Sequence, residues 1–487
     1  METKALLAIE RKQLNPDNEM RRIFGSQIIK SDARRKSHRN KHVRTTWLAT
    51  PKSTWPHLSK SGMSMNHIER KGGYEYFTFE HSKEYQRVQF EFLEAVESLN
   101  PNNIVVKRAL YCFECSFHTL FNVTQANCQL DYRRQENRGL FLAIFKHLMF
   151  VGQRGCYRTA LEFCKLLLSL DSDNDPLCAS LMIDFYSLRS QQYSYLIRMY
   201  NEWQGHKNLS QLPNFAYSIA LAHFHQSKDD DSDLETADHY LQTALLMFPS
   251  VLIPLLDKCS IQPDKRVTGH DFFVKAQLNQ QAGLQQLVNL YIGRTSSVWK
   301  EPEVVRWLEC NVNQVLTRVD NKDPLVEEYR KKRQMRYHGT PVNILRHILL
   351  SEIKEATVSL PPDLSHAPMM TYDPLPPEDN IVSYTRPPRG RQGPASNQDN
   401  SALAAFFRSL LPSYGLQGER QDGQQPAVRP DDILARGIEG LGAVGGNDVQ
   451  TGADLGRSIE TLMEAMRNLL TTIQPQANDD EDEVESD

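Results

Sequence analysis

Between Leu140 and Trp203 apolar residues recur every three and four positions, in consecutive runs parted by short turns. That period lays side chains along one helical stripe, so the stretch must fold as stacked amphipathic helices. The run from Gly155 to Leu168 is the most informative, because it puts Ala160, Cys164 and Leu167 on one face. A small residue where helices cross, large ones in the grooves and Pro176 beyond the end make the pattern of a tetratricopeptide-type helical hairpin. The signature returns at Ala237, Leu241 and Ala244, followed by Pro249. The separation of 77 residues between Ala160 and Ala237 is that of two slightly long repeats. The repeat is degenerate: no tryptophan opens it, and Asp171 to Asp175 lengthen its turn. The expected fold is all-α, a tetratricopeptide-like helical-hairpin array (an α-solenoid) with disordered termini.

Five parts are expected along the 487 residues. Residues 1–45 start with a helical pattern (Leu6, Leu7, Ile9, Leu14) and become a basic arm too poor in apolar residues to bury a core. Residues 46–81 hold two tryptophans, Trp47 and Trp55, each near a proline, then the break Gly72-Gly73 and the alternating run Tyr74 to Phe79. That run suits one short strand or an extended staple. The array is expected over 82–358, with helices near 82–99, 104–121, 139–151, 155–170, 176–189, 192–203, 214–226 and 233–248. Val251 to Cys259 adds a short apolar helix, and 262–280 reads as irregular. Further helices are expected at 283–294, 302–319, 323–336 and 341–357. Residues 359–400 form a proline-rich linker, with Pro361-Pro362, Pro376-Pro377 and Pro387-Pro388. Residues 401–487 are expected to be mostly disordered, with short helices and an acidic tail.

Charge is asymmetric: Arg34, Arg35, Lys36, Arg39, Lys41 and Arg44 gather near the start, and Asp479 to Asp487 are mostly acidic. Blocks of this kind act as solvated interaction tails. The basic arm is the nucleic-acid candidate, ribosomal RNA included, because charge engages phosphate without reading sequence. A nuclear import signal and a merely solvated tail stand beside that reading. Trp47 and Trp55 either pin the arm to the helical body or meet a peptide-like partner. No run of eighteen apolar residues occurs, so no membrane-spanning helix is expected. Met1 to Asn15 lack the apolar stretch of a secretory signal, and most of the eight cysteines lie in helical patterns, which suits reduced thiols in cytosol or nucleus. Cys112, Cys115 and His118, with Cys128 beyond, have some of the flavour of a metal site. The first three lie at helical spacing in an apolar run, and no second cysteine pair follows. There is no glycine-rich phosphate loop with lysine, no nucleophile elbow and no zincin motif. The expectation is a chain with no catalytic constellation, no cofactor and no metal.

Several longer motifs carry a resemblance: Trp47 to Pro56, Phe79 to Gln86, Asp131-Tyr132-Arg133-Arg134, Asn208 to Phe215, Trp299-Lys300-Glu301-Pro302 and Asp373-Pro374-Leu375-Pro376-Pro377. Over about residues 10–415 the chain resembles the transcription factor 25 family, also called nuclear localized protein 1, whose fungal relative is ribosome quality control complex subunit 1. The resemblance implies a non-enzymatic subunit on the large ribosomal subunit, beside a listerin-type ubiquitin ligase and a valosin-containing AAA ATPase. Such subunits help stalled nascent chains receive lysine-48-linked ubiquitin. It equally implies the alternative of a nuclear transcriptional repressor with a basic, helix-loop-helix-like N-terminus. Arg133 and Arg134, with Trp47 and Trp55, are the partner-binding candidates. The family's charged region ahead of the part resembling Met1, and a helical segment between the parts resembling Val106 and Lys107, are missing here, which implies a shortened product.

Overall fold

A computed structural model describes residues 2–25, 47–49, 62–87, 89, 103–278, 280–361, 364 and 373–384. The basic cluster Arg34 to Arg44, Trp55 and everything from residue 385 on lie outside the described residues.

The described chain is mainly helical. Two N-terminal helices, α1 (Glu2–Leu7) and α2 (Pro16–Phe24), precede a hairpin and then α3 (Asn103–Cys115). The central helices are α4 (Gln135–Gln153), α5 (Tyr157–Leu170), α6 (Ile183–Arg189), α7 (Tyr193–Lys207), α8 (Pro213–Asp229) and α9 (Glu235–Met247). They continue through α10 (Leu252–Cys259), α11 (Lys265–Thr268), α12 (Asp271–Leu278), α13 (Ala282–Thr295) and α14 (Pro302–Asp320). The last are α15 (Pro324–Met335), α16 (Val342–Ser351) and α17 (Lys354–Thr357). From α3 to α9 each helix packs on the next in the chain. Their inward stripes merge into one apolar core in which Ala160, Cys164, Phe215, Ala220 and Ala237 are fully buried.

A small sheet departs from the all-α expectation. Strands β1 (Met63–Lys71) and β2 (Tyr74–His81) form an antiparallel hairpin, and β3 (Cys128–Leu130) joins β2 in parallel. The hairpin turns through Gly72 and Gly73, both at positive φ, as a two-residue turn of this hand requires. Phe77 and Phe79 alternate into the core from β2, where they meet Phe121 and Phe113 edge-on. Strand β1 has only Met63 and Met65 buried, and Ile68, its one apolar residue beyond them, is exposed among polar neighbours, so the strand shows no clear period in the sequence. Segment β3 lies where a loop is expected, and it is too short to show any period.

Other boundaries move for local reasons. Cys178 takes a left-handed conformation, and a 3-10 turn at Ala179–Leu181 delays α6 to Ile183. Helix α3 ends at Cys115, before the expected 121. The irregular 262–280 stretch contains the short helices α11 and α12.

The N-terminal segment lies on this body. Leu6, Leu7, Ile9 and Leu14 are buried against it, α1 packing on α5 and α7 and α2 on α5. Buried Glu19 accepts from the backbone N–H groups of Arg158 (2.9 Å) and Thr159 (2.8 Å), so it caps α5 from another helix. The Glu10 carboxylate pairs with Arg158 at 2.8 Å, and the Glu10 backbone N–H donates to Glu162 at 2.9 Å.

Candidate interaction site

At the N-terminus of α4 the motif Asp131-Tyr132-Arg133-Arg134 meets a strap formed by residues 373–384. Here the two motifs lie against one another although some 240 residues of chain separate them. The backbone contact is a short parallel bridge between Arg134 and Ile381. The Ile381 N–H donates to the Arg133 carbonyl at 2.9 Å, and the Gln135 N–H donates to the Ile381 carbonyl at 3.2 Å. That second bond occupies an N–H of the first helical turn that no intrahelical carbonyl can reach.

Arginines do most of the holding. Arg138, one turn into α4, is 4% exposed and pairs with Asp373 at 2.8 Å. It also donates to the Asn380 side chain at 2.6 Å. Arg346, on α16, is buried and donates to the carbonyls of Pro176 (2.7 Å), Pro374 (3.1 Å) and Leu375 (2.9 Å). Its guanidinium lies 5.0 Å over the Tyr132 ring, which in turn meets Phe141 edge-on. Leu375 stands at φ 50°, a left-handed geometry costly for a side chain with a Cβ, and Arg346 engages that residue's carbonyl. Arg133 is exposed and bridges Asp131 (2.9 Å) and Asp379 (3.4 Å).

At the far end Ser383 donates to Glu136, and Tyr384 reaches β2. The Tyr384 hydroxyl donates to Gln89 Oε1 at 2.6 Å and so accepts from His81 Nδ1 at 2.5 Å. Burial pushes the His81 imidazole down to about 4, and its buried Nε2 has no partner. Burial pushes the Asp373 carboxyl up, and the Arg138 guanidinium opposes that rise. The result is a clamp that reads main-chain carbonyls and two carboxylates, Asp373 and Asp379, of an extended proline-containing segment. Arginine–aspartate pairs hold the segment, and the hydroxyls of Ser383 and Tyr384 tie its far end to Glu136, Gln89 and His81.

Both family motifs at this site were visible in the sequence, and Arg133 and Arg134 were the partner-binding candidates. In the described structure Arg133 and Arg134 engage the chain's own strap. Arg138, Arg346 and His81 were not singled out. The signal available was a charged residue inside an otherwise apolar helical pattern, as in Ile344-Leu345-Arg346-His347-Ile348. The Trp47 indole sits 4.1 Å beneath the Arg11 guanidinium, and the backbone N–H groups of Trp47 and Leu48 donate to the Glu114 carboxylate. The ring remains 39% exposed.

Cys112 and Cys115 lie on α3, whereas Cys128 lies buried on β3, its thiol pushed up to about 11 by burial. Among the described residues no group of three or more histidine, cysteine, aspartate or glutamate side chains is arranged to hold a metal ion.

Residues 103–377, from α3 into the strap, match the family model described as "Transcriptional repressor TCF25". The match thus includes both sides of the clamp. This chain belongs to the TCF25 family. It is 47% identical over 459 residues to a human protein named ribosome quality control complex subunit TCF25, covering 86% of this chain and 67% of that one. A Dictyostelium discoideum protein of the same name is 30% identical over 462 residues, covering 75% and 62%. Ribosome quality control complex subunit 1 of Schizosaccharomyces pombe is 27% identical over 473 residues, covering 89% and 67%. No solved structure matches.

Proposed function

We propose that this chain is a non-enzymatic scaffold subunit of a ribosome quality control complex. In this reading it sits on the large ribosomal subunit beside a listerin-type ubiquitin ligase and a valosin-containing AAA ATPase, in cytosol and nucleus. It promotes lysine-48-linked ubiquitination of stalled nascent chains. The observation that carries the reading is membership of the TCF25 family, whose human, amoebal and fission-yeast members bear ribosome quality control names. The clamp supports it physically, since its arginines are committed to holding a peptide segment rather than to acid–base work. We further read the helices as a tetratricopeptide-like hairpin array, supported by the sequential packing of α3 to α9 and by fully buried Ala160 and Ala237.

The test is reconstitution. In cells lacking their own family member, this chain restores lysine-48-linked ubiquitin on a reporter stalled during translation. An unchanged linkage pattern contradicts the reading. Purified alone, the chain shows neither nucleotide hydrolysis nor ubiquitin transfer, and multiple turnovers in either assay would overturn the scaffold assignment. The family description as a repressor favours one second reading, a nuclear DNA-associated role. That reading requires preference for one DNA sequence, because specificity needs side chains at base edges.

A further inference from the structure

Away from the clamp, α12, α13, α14 and α15 line an open-mouthed cavity of about 480 Å³. Its size falls within the usual range for small-ligand and peptide side-chain pockets. Phe272, Leu284, Val319 and Val326 supply an apolar wall. The rim is cationic: Lys275, Arg330 and Arg333 line it against a single carboxylate, Asp271. Lys275 pairs with Asp271 and Arg330 with Glu327, so these two cations are already partly compensated. Arg333 is anchored by the carbonyls of Leu246 (2.7 Å) and Met247 (3.0 Å), neither of which carries a charge.

Three buried polar atoms of the lining have no hydrogen-bond partner: Ser250 Oγ, Gln280 Nε2 and Gln281 Oε1. Ser250 is only 2% exposed. Gln281 donates through Nε2 to the Gln334 carbonyl at 3.1 Å, which fixes its Oε1 as an acceptor awaiting a donor. Gln280 Nε2 is a donor awaiting an acceptor. Buried groups left in this way cost free energy that a ligand supplying the missing partners recovers on binding. A peptide unit carries one N–H and one C=O and satisfies both glutamines. A phosphodiester offers acceptors only and leaves Gln281 Oε1 unanswered.

We propose that this cavity is a docking site for an extended acidic peptide of a partner protein that inserts one apolar side chain. The main chain of the peptide pairs with Gln280 and Gln281. Its apolar side chain lies on Phe272 and Leu284, and its carboxylates face Lys275, Arg330 and Arg333. The inference is independent of the ribosomal reading and uses no residue of the clamp.

The probe is a fluorescein-labelled heptapeptide, Asp-Glu-Asp-Leu-Asp-Glu-Asp, titrated onto the full chain by anisotropy. Replacing its leucine by serine weakens binding by about tenfold or more, the loss expected for one buried apolar side chain. Ala276→Trp fills the cavity and abolishes binding, with circular dichroism checking that the helices remain. Should that variant unfold, Lys275→Glu with Arg330→Glu changes exposed positions only. It weakens binding by about tenfold and flattens the salt dependence. The proposal is overturned if the peptide does not bind, or if a folded variant of either kind binds it with the parent's affinity. It is likewise overturned if an oligouridine of equal charge displaces the peptide and loses affinity in the same variants, since the face then reads phosphate.

Discussion

The N-terminal segment Glu2–Phe24 and the strap 373–384 both lie on the helical body, but they are held by different forces. The first buries Leu6, Leu7, Ile9 and Leu14, all 7% exposed or less. Each such side chain contributes about 1.5–3 kcal/mol by leaving water. The strap leaves its most apolar residues outward, Ile381 at 40% and Val382 at 43% exposed, and is fastened by Arg138, Arg346 and a few backbone bonds. Net gains from such bonds are modest, because water competes for the same groups once the segment lifts. The N-terminal segment is thus part of the global fold, while the strap is a unit able to open locally.

The largest effect is expected from Leu7→Ala, which empties a fully packed site and costs about 2–5 kcal/mol. Ile381→Ala on the strap shifts the denaturant midpoint within about 0.5 kcal/mol, as exposed substitutions do. Equal losses from the two would erase the distinction. Next come Ala160→Leu and Ala237→Leu, both at fully buried positions, where overpacking costs about 1–3 kcal/mol. Unchanged midpoints would place neither alanine at a helix crossing.

Arg138→Met comes third. Removing one partner of a buried pair is usually severe, but here Asp373 regains water when the strap lifts, so the penalty stops at local opening. Amide exchange at Ile381 speeds up by about tenfold while core amides keep their rates. A global loss matching Leu7→Ala would show that the strap is integral to the fold.

The smallest effect is titration of His81. Its folded value lies below the ordinary one, so the stability of its neutral form is present above about 6.5. That stability is lost as pH falls toward about 4. Protonation adds a charge in a half-buried site and a second N–H with no acceptor. Tyr384 should therefore loosen across that interval in the parent and not in His81→Asn, read as the parent-minus-variant change in Tyr384 environment. Identical pH profiles would remove His81 from the account.

Most helices were legible because their burial is one-sided and their ends are marked. The expectations 302–319 and 323–336 came out as Pro302–Asp320 and Pro324–Met335, each opened by a proline in its first turn. Strand β1 was not legible, since an edge strand with two buried methionines shows too little alternation. The clamp was half legible. Its two motifs stood out as family-like strings, but neither periodicity nor composition pairs Asp373 with Arg138. Such pairing depends on where the chain returns after α17, a tertiary fact absent from any local window. Burial of Arg138 and Arg346 ran against the ordinary preference of arginine for the surface.

The most direct test of the scaffold assignment is sedimentation of the chain with large ribosomal subunits across a salt series. The chain should co-sediment, with a log–log salt slope of about -4 to -5 if most of Arg34, Arg35, Lys36, Arg39, Lys41 and Arg44 meet phosphate. Changing these six to Gln flattens the slope and leaves the helices folded. A chain that stays at the top of the gradient at every salt concentration, while binding one DNA sequence tightly, would contradict it.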